Sequence, residues 1–457
     1  MNAVDVTLPE SSVASERGQV AERGRSMLTP LVRWQVAVTI GLMSLMLAAC
    51  VFIFAPLAGV AVAGVALLLL CINYPPLILF LFFTVLGTMW TFDEWPMMPL
   101  RPAVVFLVLS TVLALAARKL WPRMHWIPAL VAALGAWMFV TGALSGEVIS
   151  TTSYAATVFG WAFAILALMQ FGDGRQNLLL LALAFVAGMC VGSLGVILHY
   201  VRGEVDVMRP INGDVNDYGV LLAAALMLGM GVFVASRVPL PVKLVTALLM
   251  LPILVATAGT LSRGTYLAVG LGLVSLLVVG RSGRRAFAWV VALGAVALGL
   301  AVTFMSDRFS QALEQKSNIA GENVDSRLEA WNLAMSLFAE RPVTGFGVGT
   351  IGEHLRSVYQ TPPGAFVVEF THNTYVEVIY GTGLVGTALF GILLVFCVRS
   401  SLGLPDSAVP ILPAVVAIFV SSFTVTEILY APFWVLAAFA CTADLIQRRS
   451  VFGGVKT

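Results

Sequence analysis

Charge is scarce in this chain. Lys and Arg number 26 and Asp and Glu 24 in 457 residues, 11% in all, against 59% hydrophobic residues. A soluble globular protein carries about 25% charged residues, so a single water-soluble core is excluded. The mean hydropathy of +0.95 agrees. Cysteine is sparse too. Cys50, Cys71, Cys190, Cys397 and Cys441 lie in or at the ends of apolar runs, without Cys-x-x-Cys spacing or clustered His. That pattern offers neither a zinc site nor a disulfide framework, and no metal is expected. The thiols read as small buried hydrophobes. No small-residue cleavage site follows the first apolar run, so the first 33 residues are expected to be a cytoplasmic tail rather than a signal peptide.

What the chain does have is apolar runs, near 34–54, 57–72, 76–90, 103–117, 127–143, 154–171, 178–201, 218–235, 244–260, 265–280, 286–304, 373–397, 410–426 and 428–446. Many approach the roughly 20 residues that a spanning helix needs. The fold class expected is therefore all-α: a polytopic transmembrane helical bundle of about 12–14 spans, with one periplasmic helical loop domain. Its parts are a disordered cytoplasmic tail (1–33), an N-terminal transmembrane bundle (34–304), the helical loop (305–372), C-terminal transmembrane helices (373–446) and a cytoplasmic tail (447–457). With the N-terminus inside, Lys and Arg divide seventeen to nine in favour of the cytoplasmic side, and five of the nine lie in the long loop. Long loops count little in this bias, so both termini are expected in the cytoplasm and the loop outside.

Three polar insertions then share the outer face. The long loop carries apolar residues at Leu328, Trp331, Met335 and Phe338, a helical period ended by Pro342, because the residue before a proline is biased away from helix. A glycine turn, Gly345-Phe346-Gly347-Val348-Gly349, follows, and then a second short helix through Ile351–Tyr359. The loop holds five basic and eight acidic residues, which argues against a nucleic-acid surface. The second insertion contains Arg209, Asn212, Asp214, Asn216 and Asp217. The third is the turn Ser262-Arg263-Gly264.

Each polar residue has a bland reading and a chemical one. Arg263 either snorkels to lipid headgroups or presents a planar guanidinium to an anionic phosphate. Arg209 is either salt-bridged within its loop or paired with a diphosphate while the neighbouring amides, Asn216 among them, bind sugar hydroxyls. Arg327 and Arg341 read as surface charges when each is taken alone. His372 sits where the loop meets an apolar helix. Its neutral-range pKa suits a general base, though a histidine there also serves as a cap or interface residue. Asn373 fits a helix cap, and Gly383 and Gly386 fit close helix contact.

Together these residues resemble the O-antigen ligase and O-antigen polymerase superfamily of bacterial envelope glycosyltransferases, with a GT-C-like fold. The resemblance rests on Ser262-Arg263-Gly264, on Arg327…Trp331…Arg341-Pro342…Gly345-Phe346-Gly347, and on His372-Asn373 followed by Gly383-x-x-Gly386, and it covers roughly residues 200–400. It implies a donor glycan on undecaprenyl diphosphate, at the periplasmic face of the bacterial inner membrane. It also implies a glycan or lipid acceptor, contact with inner-membrane lipid and other polysaccharide-assembly proteins as partners. The transfer implied inverts the anomeric carbon and needs no metal or cofactor. His372 and Arg263 become the catalytic residues; Arg209, Asn373, Arg341, Arg327 and Asn216 become substrate-binding residues. Two readings from another class stand beside it: a secondary transporter of an anionic solute, and a lipid-linked glycan flippase.

Overall fold

This computed structural model describes residues 65, 67–74, 76–88, 100–146, 148–171, 175–211, 214–279, 281–304, 325–360, 370–405, 407–426 and 431–452. The chain divides into two units, Met1–Tyr74 and Pro75–Thr457. Of the first, residues 67–73 are helical; the expected tail 1–33 and the span 34–54 lie outside the described residues. The second unit is built of helices, with no strand among its described residues. They are α1 (Pro76–Thr88), α2 (Leu100–Ala117), α3 (Trp126–Ser145), α4 (Val148–Gln170), α5 (Arg175–Val201), α6 (Val215–Val234) and α7 (Leu240–Gly259). Next come α8 (Arg263–Ser275), continued by a 3-10 turn over Leu276–Val279, and α9 (Arg281–Phe304). The loop supplies α10 (325–340) and α11 (Ile351–Tyr359), and the chain closes with α12 (Thr374–Leu402), α13 (Leu412–Ser421) and α14 (Ala431–Phe452). This is an all-α polytopic membrane protein, with six helices long and apolar enough to cross a bilayer among the described residues.

Two groups of loops mark the two ends of the bundle. At one end His125, which caps α3, bonds Asp444 of α14 at 3.0 Å, and Gln447 donates to the Ser400 carbonyl of α12. At the other end Met208 N–H donates to Gly259 O at 2.9 Å, and Thr374 N–H to Ser422 O at 2.8 Å. Helix α6 runs through the middle, with 16 of its 20 residues buried. Helix α7 is peripheral: Leu240, Leu244, Leu248, Leu251 and Val255 form an exposed stripe suited to hydrocarbon. Several hydroxyls inside the spans bond one turn back, as Thr111 Oγ1 does to Leu107 O and Thr257 Oγ1 to Ile253 O, both at 2.7 Å. Lipid offers them no other partner.

The run at 410–426 departs from expectation. Its helix is the ten residues of α13, about 15 Å long, half the roughly 30 Å of a hydrocarbon core. Pro410 and Pro413 set where it begins, since prolines lack the N–H donors an earlier start would need; at the other end the helix stops at Ser421, leaving 422–426 outside it. The expected short helix over Ile351–Tyr359 is present as α11.

The feature that organises the rest is a break in α12. Gly383 has φ 62° and ψ −164°, a conformation outside the helix and essentially restricted to glycine. The break frees backbone groups in an apolar setting, where each unpaired group costs several kcal/mol. The glycine turn of the loop pairs them. Phe346 N–H donates to Tyr380 O (3.0 Å), Gly347 N–H to Gly381 O (2.9 Å), and Leu384 N–H to Pro342 O (2.8 Å). Trp137 Nε1 of α3 covers Thr382 O at 2.8 Å. The turn approaches so closely that a Cβ on Gly345 would lie 2.6 Å from Tyr380 O, and one on Gly383 would collide with the Val343 carbonyl. Gly383 is therefore a helix break rather than the small contact residue expected. Replacing Gly383 with Ala is expected to destabilise the protein by about 1–3 kcal/mol, read as a lower detergent-phase melting temperature. Gly391→Ala on the same helix meets nothing within 4 Å and should leave that temperature unchanged.

Candidate functional site

The site lies where α6, α8, α10 and α12 begin and α13 ends. Asp214 caps α6, its carboxylate accepting from Asn216 N–H at 2.6 Å and Asp217 N–H at 3.4 Å. Ser262 caps α8 by accepting from Thr265 N–H at 3.3 Å, so Arg263 is the first residue of that helix. The Ser262 hydroxyl donates to Asn216 Oδ1 at 2.7 Å, which ties the two helix starts together. Val207, Leu261 and Val215 pack against one another over this junction. Arg263 is exposed there.

Helix α10 brings the next groups. Ala330 and Ala334 are buried with Phe346, Ile351, Leu355 and Tyr380 of α12, so the loop packs on the bundle. Arg327 and Trp331, four residues apart, lie on one side of the helix. Trp331 Nε1 donates to Thr371 O at 2.7 Å, and Arg327 Nη1 to Thr424 O at 3.4 Å. Gly264, next to Arg263, packs on that same Thr424, whose Oγ1 would lie 2.6 Å from an added Cβ. Thr424 thus links the Arg263 turn to the Arg327 helix.

His372 stands between two fixed neighbours. Thr371 is held through its carbonyl by Trp331, and through its N–H and hydroxyl by Glu377 (3.2 and 3.0 Å). Asn373 caps α12, its Oδ1 accepting from Tyr375 N–H at 3.0 Å and Val376 N–H at 3.2 Å. Between them His372 adopts φ 48°, a left-handed conformation that is uncommon for a residue with a Cβ. Burial pushes its imidazole pKa below the ordinary value. The Arg327 cation lowers it further, and Asp214 pulls it partly back. Arg327 is itself lowered by burial and supported by Asp214 and Asp217. Cation, carboxylates and a histidine biased to its neutral form therefore share one neighbourhood.

Two expected site residues are engaged elsewhere. Arg209 pairs with Asp206 at 3.5 Å and donates to Ile211 O at 3.2 Å, the salt-bridged arrangement that was one of its two readings. Arg341 donates to Leu144 O at 3.4 Å and lies 4.7 Å over the Phe346 ring. Its neighbour Pro342 bonds Leu384, eleven residues past Asn373, or about 16 Å along an α-helix. Sequence reasoning overlooked Glu377, Thr371 and Thr424. Glu377 carried a usable signal, being an acidic residue within an apolar span.

The electrostatics make a direct prediction. With four histidines in the chain, ring-proton NMR can follow His372, identified by its loss in His372→Ala. Arg327→Gln should raise its pKa by removing a cation, and Asp214→Asn, which keeps the helix cap, should lower it. Unchanged titration in both variants would place these charges away from the ring.

No curated protein matches the chain. Residues 245–391 match the O-antigen ligase family model. That stretch contains Arg263, Arg327, Arg341, His372, Asn373 and the α12 break, whereas Arg209 and Asn216 precede it. The match covers about a third of the chain, and over that stretch it supports a place in the O-antigen ligase and polymerase superfamily.

Proposed function

We propose that the protein transfers or polymerises a glycan from undecaprenyl diphosphate onto an acceptor hydroxyl, at the periplasmic face of the bacterial inner membrane. The observation that carries this reading is convergence. Ser262, next to Arg263, bonds Asn216, the Arg327 cation lowers the His372 pKa, and Thr424 accepts from Arg327 and packs on Gly264. Four separate segments of a largely apolar chain thereby bring polar groups to one end of the bundle.

The chemistry follows from those groups. The acceptor oxygen bonds to the anomeric carbon while the bond from that carbon to the diphosphate oxygen breaks. Attack from the opposite face inverts the centre. Negative charge grows on the departing lipid diphosphate, and guanidinium groups already in place stabilise it without reorganisation, more strongly in a low-dielectric site than in water. Exposed Arg263 meets the diphosphate, and Arg327 strengthens the field from behind. His372, held neutral, accepts the acceptor's hydroxyl proton. Asn216 orients a sugar hydroxyl, and Asn373 fixes the start of α12 below the base. Arg209 and Arg341, both engaged by the protein, line the approach. No cofactor enters this scheme. Between the two activities of the superfamily we favour polymerase, or exopolysaccharide assembly, over ligation, because the outer loop is modest in size. Other assembly proteins would supply its substrate.

His372→Ala and Arg263→Ala are each expected to abolish glycan transfer in membranes carrying lipid-linked donor, with expression and insertion preserved. Full transfer by His372→Ala would remove the base. Because burial and Arg327 depress the imidazole pKa, activity should rise with pH along a limb centred below histidine's ordinary value of about 6.5. A limb centred above that value would contradict the assignment.

A further inference from the structure

We infer that Glu377 is a positioning residue for His372, a role that rests on the base reading given above. Glu377 is fully buried, 0% exposed, and touches no solvent-facing group of the site. Its two carboxylate oxygens collect donors from two distant stretches of chain. One accepts from Gly349 N–H, at the end of the glycine turn, at 2.7 Å. The other lies 3.2 Å from Thr371 N–H and 3.0 Å from the Thr371 hydroxyl. That hydroxyl also reaches Asn373 O at 2.9 Å, so it spans His372 from one neighbour to the other.

The consequence is mechanical. A left-handed conformation is unfavourable for a residue with a Cβ and persists where its surroundings over-determine it. Among the described residues, no hydrogen bond of His372 itself does this. The clamp is Thr371, and Glu377 holds Thr371 to the turn that fills the α12 break. Trp331 closes the clamp from α10. Through these contacts the carboxylate aims the imidazole at Arg327 and Asp214 without touching it.

A glutamine is nearly isosteric but replaces one acceptor oxygen with an N–H group, so it can serve only one of the two stretches. Glu377→Gln, in the full-length protein, should lower glycan transfer by about tenfold to a hundredfold, the loss expected of hydrogen bonds to a charged group. The discriminating readout is the His372 titration by NMR, which needs no substrate. If Glu377 acts as a charge, its loss lowers the imidazole pKa. If it positions the ring, its loss frees His372 to turn away from half-buried Arg327 toward water, and the pKa rises. We expect the rise; a fall or an unchanged titration overturns the inference. Should Glu377→Gln fail to fold, Thr371→Val removes the hydroxyl but keeps the N–H, and it should shift the titration in the same direction by a smaller amount. An unchanged titration in Thr371→Val, with Glu377→Gln unfolded, also counts against it. A His372 titration that moves upward while His372→Ala retains transfer would keep the positioning role and discard the base.

Discussion

The structure depends on how one membrane helix is allowed to break. A helix crossing hydrocarbon keeps its backbone groups paired within itself, and an interruption exposes several at once. At Gly383 the carbonyls of Tyr380, Gly381 and Thr382 and the N–H of Leu384 leave the helical ladder. Each is recovered, three by the 342–347 segment of the loop and one by Trp137. Net gains of about 1 kcal/mol per hydrogen bond are modest, while an orphaned partner costs more. The pairing therefore works chiefly as a constraint: the loop cannot leave α12 without stranding backbone groups in an apolar setting. A segment that looks like a soluble appendage is locked into the bundle.

That lock reaches the polar site through few links. Gly349 closes the glycine turn and donates to Glu377, Glu377 holds Thr371, and Thr371 precedes His372. On the far side Thr374 N–H is shared between Ser422 O and Val425 O, which fixes α12 against the turn carrying Thr424. Arg327 and Gly264 meet that turn from α10 and α8. The imidazole, the half-buried guanidinium and the exposed guanidinium are thus placed by one connected set of backbone contacts. Their electrostatics suit their placement. Arg327 is half-buried, with Asp214 and Asp217 offsetting its desolvation, and burial together with Arg327 biases His372 toward its neutral form. Arg263 faces solvent, where an anionic substrate can reach it.

Much of this was legible in the chain. Sparse charge and long apolar runs specified a polytopic helical protein, the period through Leu328, Trp331 and Met335 marked α10, and α11 fell on its expected residues. His372 and Arg263 stood out because polar groups at the ends of apolar spans are costly unless used, while Arg327 read as a surface charge and, like Asn216, was marked as a site residue only through the family resemblance. The rest was hidden for physical reasons. Glycine reports that a Cβ is absent and not why, so a helix break and a close contact look alike at Gly383 and Gly386. Whether Arg209 and Arg341 are free or engaged depends on partners at Asp206, Leu144 and Phe346, of which Leu144 lies nearly 200 positions from Arg341 and offers only a carbonyl. Glu377 was visible as a lone acid in a span, but its donors, Gly349 and Thr371, are backbone groups that no residue type announces. The start of α13 follows from prolines whose spacing was plain, whereas hydropathy carried the run past its end at Ser421 through to Thr426.

The break in α12 also bears on the transporter reading. Discontinuous helices in transporters serve by leaving carbonyls and N–H groups at mid-membrane free to hold ions or substrate. Here the carbonyls of Tyr380, Gly381 and Thr382 accept from Phe346, Gly347 and Trp137, and Leu384 N–H donates to a proline carbonyl. The opened backbone is filled by the protein itself, so the discontinuity provides rigidity and no coordination site. The groups left available for a ligand sit instead at the helix ends, with Arg263 exposed and His372 half-buried. A passage across the bilayer would need such groups along the span between the two ends. A surface-facing cluster backed by a sealed helix break suits the proposed reaction, carried out at one end of the bundle.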